Sequence, residues 1–562
     1  MTFSRFFRHE TRLLPASDNP VCLPVVTLLM FAPLVVGLIG IAMGQSLIWD
    51  LRNYHWYNAY AFLTGRYAGG IDIQPSQLQF FHNPLMDLPF YFLATHFTPR
   101  AAYFALGCVQ GLNFPLLFML AHAVLDIGNP KRKAVICLLL AALGMAGGMG
   151  IAEFGVPFYD NVASLGVLGS AVLVVANLGE MTKAPWRRVL WLAFLAGAPV
   201  GLATGLKMTT AVFCVGLCAA LPFTLRLSER GILLGFFFGL GILAGAGLVY
   251  AHWGWYLYGH FGSPMFPYFN RIFHSPWVAP GYIEDFSAPR GLLVPLLFPL
   301  LFANHTTLVN EIPFRDLRIP IAYVLMAVVG LLSLWRLRPG ARQEAAPAAP
   351  LPSTYLLWAS AVSYLVWISV EAYYRYLLPL EMLAPLVIVL CVERLPLTAR
   401  VRTGVIICLM LVIVTTLKVA PWERRHEWAQ HIAQIERPAL PDSSDIMILM
   451  AMDDGYSYLI PEFPPSIPFV RLESRAFRVD SGWAFNDLIR ARIEAHKGSL
   501  KLLVPAREVQ RAENRPLKYY GLKVVSGSCK DVVDDIAEND LDPLYPKYYK
   551  LCDVVKAKQR PG

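Results

Sequence analysis

The sequence predicts an all-α polytopic membrane bundle of about eleven transmembrane helices, followed by a C-terminal soluble α/β domain. Three observations carry this reading. Hydrophobic residues make up 56% of the 562 and charged ones only 15%, whereas a soluble chain carries about 25% charged residues. The apolar residues fall in runs of roughly 16–24, enough to cross ~30 Å of hydrocarbon. Lysine and arginine concentrate in alternate short loops between those runs, the pattern that sets membrane topology.

Taken in order, the predicted spans are Cys22–Gly44, Ala101–Val124, Ala134–Ala152, Val162–Gly179, Val189–Leu206, Thr209–Leu225, Ile232–His252, Pro320–Trp335, Thr354–Glu371, Leu377–Val392 and Thr403–Ala420. The first run, from Val21 to Gly44, is too long for the apolar core of a signal peptide and reads as a retained span. The cations lie in the N-terminal arm (Arg5, Arg8, Arg12) and at Lys131–Lys133, Lys183–Arg188, Arg226–Arg230, Arg336–Arg342 and Arg394–Arg402. Counting spans in order puts all of these on one side. The N-terminus is then cytoplasmic and the C-terminus outside, periplasmic if the chain sits in a bacterial inner membrane. Pro84–Phe97 is short and contains Asp87, two prolines and His96. Crossing there would move Lys131–Lys133 outside, so it reads as an interfacial or re-entrant helix.

The domain plan is a membrane domain over residues 1–420, with large outer loops 45–100 and 253–319, and an outer domain over 421–562. That last segment alternates short β-like runs (Ile446–Ala451, Leu500–Val504, Leu522–Val525, Tyr549–Val555) with a helix-like one, Trp483–His496. Seven cysteines lie in apolar runs as small buried hydrophobes. Cys529 and Cys552 lie in the outer segment, where an oxidising compartment makes a disulfide the simplest reading. Pro339–Pro352, with its Ala/Pro repeats, reads as a cytoplasmic linker.

The formal charge of +9 sits in topology-setting loops and not on a basic helix or groove, which argues against nucleic-acid binding. There is no P-loop, strand-borne GxGxxG, HExxH or GxSxG, and Asp453-Asp454-Gly455 reads as a turn. The first outer loop is the informative segment, with polar and aromatic residues interleaved: Asp50, Tyr54, His55, Asp72, His82 and Asn83. Asp50 suits two roles, capping an interfacial helix or acting as general base for an acceptor hydroxyl in a lipid-facing cleft. Lys207, between two apolar runs, and Arg375, the one cation of its short outer loop, are candidate phosphate ligands. The second outer loop is rich in Gly, Pro and aromatics, and Tyr268 and Arg271 fit the wall of a head-group cleft.

This arrangement resembles the GT-C superfamily of membrane glycosyltransferases. The likeness rests on Asp50 at the start of the long loop Gln45–Arg100, and on a second long loop, Trp253–Ile319, after the span Ile232–His252. It covers roughly residues 1–320. The resemblance implies an inverting transfer from a polyprenyl-phosphate-linked sugar donor to a lipid, glycan or protein acceptor at the outer face of the bilayer. Asp50 would be the base, and Lys207 or Arg375 would stabilise the departing phosphate. Some relatives hold a divalent cation (Mg or Mn), for which Asp50 with Glu153 or Asp160 would be the candidate ligands; the adjacent acidic pair usual there is absent. Rival readings are a transporter or flippase of lipid-linked glycans, which predicts internal repeats, and a polymerase or ligase, which predicts an Arg- and His-rich outer loop.

Overall fold

The computed structural model describes residues 13–46, 48–281, 288–291, 293–336, 350–536 and 546–557. The cations Arg5, Arg8, Arg12, Arg338 and Arg342 and nearly all of the Ala/Pro linker lie outside them. Two compact units result. The first comprises Met1–Gly40, Phe104–Ala251 and Glu284–Trp422; the second comprises Ile41–Tyr103, His252–Ile283 and Glu423–Gly562.

The first unit is helical. Among the described residues of the chain, nine helices are long and apolar enough to cross a bilayer, from Cys22–Ala42 to Ala399–Thr416. Two of the predicted spans correspond to shorter helices: Met208–Thr224 and the 16-residue Pro130–Met145, whose first turn carries Lys131–Lys133. A further apolar helix, Leu293–Asn304, forms within the stretch read as a loop. Large apolar side chains such as Leu23, Met30 and Leu248 stand more than 70% exposed. Such a surface suggests a lipid environment, because water would penalise it.

Close helix packing here depends on small residues. Along Trp186–Leu206, Gly197, Gly201 and Gly205 face Phe238, Ile242 and Ala246 of the helix Glu229–Phe261, whose own Gly241 and Gly245 face Phe194 and Ala198. A Cβ at any of the five would lie within 2.6 Å of a backbone carbonyl oxygen. The four-residue spacing is the small-xxx-small pattern by which membrane helices approach closely.

Among its described residues the second unit contains nine strands: β1 (Gln45–Ser46), β2 (Arg424–Arg425), β3 (Ile435–Glu436), β4 (Ile446–Met450), β5 (Phe469–Arg471), β6 (Ser499–Pro505), β7 (Leu522–Val524), β8 (Lys530–Asp534) and β9 (Tyr548–Lys556). β1 and β2 pair with each other. The other seven form one sheet in the order β3-β8-β9-β6-β4-β5, with β7 also on β9. β4 pairs in parallel with β5 and with β6. Its five residues are all buried, as a strand covered on both faces requires. Helix Ala484–Ala495 precedes β6, and a disulfide joins Cys529 to Cys552 of β9.

The first long loop is part of this sheet unit. Ile73 bridges Val470 in parallel, with Ile73 N donating to Phe469 O (2.9 Å) and Arg471 N to Ile73 O (3.0 Å). The run Pro84–Phe97 is a short turn, Pro84–Met86, followed by the nine-residue helix Leu88–His96. At 1.5 Å per residue that helix falls well short of ~30 Å, so it does not cross.

Candidate functional site

In the first unit, helix Pro130–Met145 gives way to the turn Gly147-Gly148-Met149-Gly150, and two buried carboxylates grip that turn. Gly148 N donates to Asp316 Oδ2 (2.9 Å), Gly150 N to Glu381 Oε1 (2.9 Å) and Met149 N to Glu381 Oε2 (3.4 Å). Backbone and carboxylate meet so closely that a Cβ on Gly147 would lie 1.6 Å from Glu381 Oε1. Arg318, itself fully buried, donates to the carbonyls of Gly144 and Ala146 and lies 3.4 Å from Asp316. Gln110 then fixes the following segment: its Nε2 donates to Glu153 O and Val156 O, and its Oε1 accepts from Gly155 N.

This scaffold delivers Asp160. The residue before it, Tyr159, is left-handed (φ 64°), a strained conformation for a side chain of that size. Asp160 then opens the helix Asp160–Lys183, where the positive end of the helix dipole favours its charge. Two cations converge on it. Lys207, at the end of Trp186–Leu206, places Nζ 2.7 Å from Asp160 Oδ1 and 2.6 Å from the carbonyl of Phe158. Arg375, in the turn Tyr374–Leu377, places Nε 3.3 Å from Asp160 Oδ2, and its guanidinium carbon lies 3.9 Å from the centre of the Phe158 ring. One residue, Phe158, thus holds both cations, one by its carbonyl and one by its ring.

Glu153 completes the cluster. It is fully buried, and among the described residues nothing donates to either of its carboxyl oxygens; the amide oxygens of Asn113 and Asn161 are likewise unpartnered. Burial, reinforced by the Asp160 charge, pushes its carboxyl well above the usual range against the opposing pull of Arg375 and Lys207. Lys207 and Arg375 thus meet at Asp160 beside the buried carboxyl of Glu153.

A divalent cation does not fit these donors. Both oxygens of Asp160 face protein cations, and among the described residues no three His, Cys, Asp or Glu side chains gather as ligands. No family model and no curated protein matches the chain.

The second unit holds the other candidates. Asp50 precedes a π-helical turn, Leu51–His55, a wide turn frequent at functional sites. Tyr54 packs its ring on His55 (4.1 Å) and edge-on to His82 (5.2 Å). His55 Nδ1 lies 2.7 Å from Asp87 Oδ1, both buried, and His82 Nε2 lies 3.2 Å from Tyr268 OH. Asn83 caps Pro84–Met86 by accepting from Leu85 N, and Arg271 is exposed. Asp72 serves the fold. It receives Arg66 through two nitrogens (2.5 and 2.7 Å), Phe469 N (2.7 Å) and the Tyr57 hydroxyl.

Sequence reasoning missed Glu381, Asp316, Arg318 and Asp87. For Glu381 the signal was present, a single carboxylate inside the apolar run Leu377–Val392, the kind of residue an apolar span retains only for a purpose. Gln110 carried no comparable mark.

Proposed function

We propose that this protein is an inverting membrane glycosyltransferase that moves a sugar from a polyprenyl-phosphate donor to a lipid, glycan or protein acceptor. In this reading the chain crosses the bilayer eleven times, with its N-terminus cytoplasmic and its C-terminal sheet domain periplasmic. Lys207 and Arg375 bind the donor phosphate, and Asp50 takes the proton of the acceptor hydroxyl as that oxygen attacks the anomeric carbon from the face opposite the phosphate. Charge then builds on the departing phosphate, where prepositioned cations stabilise it most in a low-dielectric site.

The convergence of Lys207 and Arg375 on Asp160 carries the reading. Two cations brought together at one carboxylate are what a phosphate site would need. Their location at the ends of apolar helices suits a phosphate attached to a lipid. The test is transfer of a radiolabelled sugar from a synthetic polyprenyl phosphate in detergent. Asp50→Asn is expected to lose transfer by a factor of at least ~100 while still binding polyprenyl phosphate. Full activity in that variant removes Asp50 as the base, and undiminished phosphate binding in a Lys207→Met, Arg375→Met double variant removes the cation site.

A further inference from the structure

Glu153 is a puzzle for simple electrostatics. It lies near two cations, yet Lys207 and Arg375 both turn to Asp160. Its own oxygens, wholly buried, receive no hydrogen bond from any described residue. A carboxylate left so would forfeit hydration with nothing in return, whereas a carboxylic acid needs only one acceptor for its hydroxyl. The acidic groups facing it are Asp160 and Glu381, and the basic ones Arg375 and Lys207. Its position is fixed from behind, because Gln110 holds the Glu153 carbonyl and Glu381 holds the turn preceding it.

We propose that Glu153 is a proton-bearing acid that donates a hydrogen bond to the phosphate held by Lys207 and Arg375, and passes its proton to that phosphate when the sugar leaves. This rests on the function proposed above. The donor is a phosphodiester with one negative charge, which Lys207 and Arg375 would face. On transfer, the bond from anomeric carbon to phosphate oxygen breaks and the bond to the acceptor oxygen forms. The acceptor proton goes to the base, and the Glu153 proton goes to the phosphate oxygen, so the product leaves as a monoanionic phosphate monoester. Glu153, now a carboxylate, regains its proton from water.

The experiment is infrared difference spectroscopy of the full-length protein in detergent at neutral pH, wild type against Glu153→Gln. The difference is expected to contain the C=O stretch of a protonated carboxyl, and saturating polyprenyl phosphate is expected to shift it to lower frequency. A carboxylate signature in its place overturns the proposal, as does a protonated band that the bound lipid phosphate leaves unmoved. Calorimetry gives the second arm. Glu153→Gln, which keeps a neutral donor, is expected to bind polyprenyl phosphate within about threefold of wild type, and Glu153→Ala roughly tenfold more weakly or worse; equal binding by all three overturns the hydrogen bond. Neither arm measures sugar transfer, so a failed transfer assay with a protonated, phosphate-responsive Glu153 would sink the proposed function and the proton-transfer step, and leave standing the hydrogen bond from Glu153 to the phosphate.

Discussion

Of the buried arginine–aspartate pairs among the described residues, two are finished in opposite ways. In the second unit, Arg66 and Asp72 meet through two nitrogens, and every neighbouring group adds to the closure. Arg66 also donates to the carbonyls of Pro465 and Ile467, while Asp72 also accepts from Phe469 N and Tyr57. In the first unit, Arg375 approaches Asp160 obliquely at 3.3 Å, Lys207 competes for the same carboxylate, and Asp160 Oδ2 receives no hydrogen bond from any described residue. A buried pair saturated with hydrogen bonds holds a fold together. One left short of them costs stability, and a protein retains it where a ligand completes the set.

That contrast breaks most directly at Asp72. Asp72→Asn removes the charge but keeps the shape, leaving Arg66 buried without its counter-ion. Loss of one partner from a buried pair costs about 3–5 kcal/mol. Because Asp72 and Arg66 stitch residues 66–73 to the segment 465–469, the expected outcome is early unfolding of the sheet unit in a thermal melt followed by circular dichroism. If the melting temperature moves by less than a degree or two, the Asp72 cluster is no keystone and the comparison fails on that side.

Arg375 tests the other side. The carboxylate oxygen it faces already lacks a hydrogen bond from the described residues, so Arg375→Met is expected to move the melting temperature little. Sugar transfer should fall about 100- to 1,000-fold, the usual loss when a prepositioned charge is taken from a transition state. A variant that melts early yet turns over normally would make Arg375 a second Asp72. The reverse pairing of outcomes is what separates a phosphate ligand from a structural ion pair.

Much of this contrast was legible in the sequence at the level of position, and little at the level of partnership. Lys207, Arg375 and Asp160 each stood out as charges at the edge of an apolar run, because hydrocarbon makes any such charge expensive. That they meet depends on helices 160–183 and 186–206 returning to one place, which no local pattern records. Asp72 looked the same in sequence as Asp50, and only the bridge from Ile73 to Val470, about four hundred residues along the chain, reveals what it holds together. The strands β4, β6, β7 and β9 were readable as short β-like runs. β5 and β8 were not: β5 spans three residues, and β8, Lys530–Asp534, has three charged residues among its five and lies beside a disulfide.

The finest test of the comparison lies at Gly147, where scaffold and site touch. A methyl group added there would sit 1.6 Å from Glu381 Oε1, so Gly147→Ala must displace Glu381 or the turn. Overpacking of this kind typically costs about 1–3 kcal/mol. The displacement would also loosen the bonds from Met149 N and Gly150 N that hold the turn ahead of Glu153. The expected result is a modest fall in melting temperature with a larger fall in transfer, since a small shift of a positioned group is felt more by chemistry than by folding. Adding Glu381→Ala restores the space but not the grip on the turn. The double variant should therefore recover some thermal stability and none of the transfer, a non-additive pattern that a double-mutant cycle resolves. If Gly147→Ala lowers stability and leaves transfer intact, the Glu381 clamp is structural alone, and the first unit is finished more like the Asp72 cluster than the open Asp160 oxygen implies.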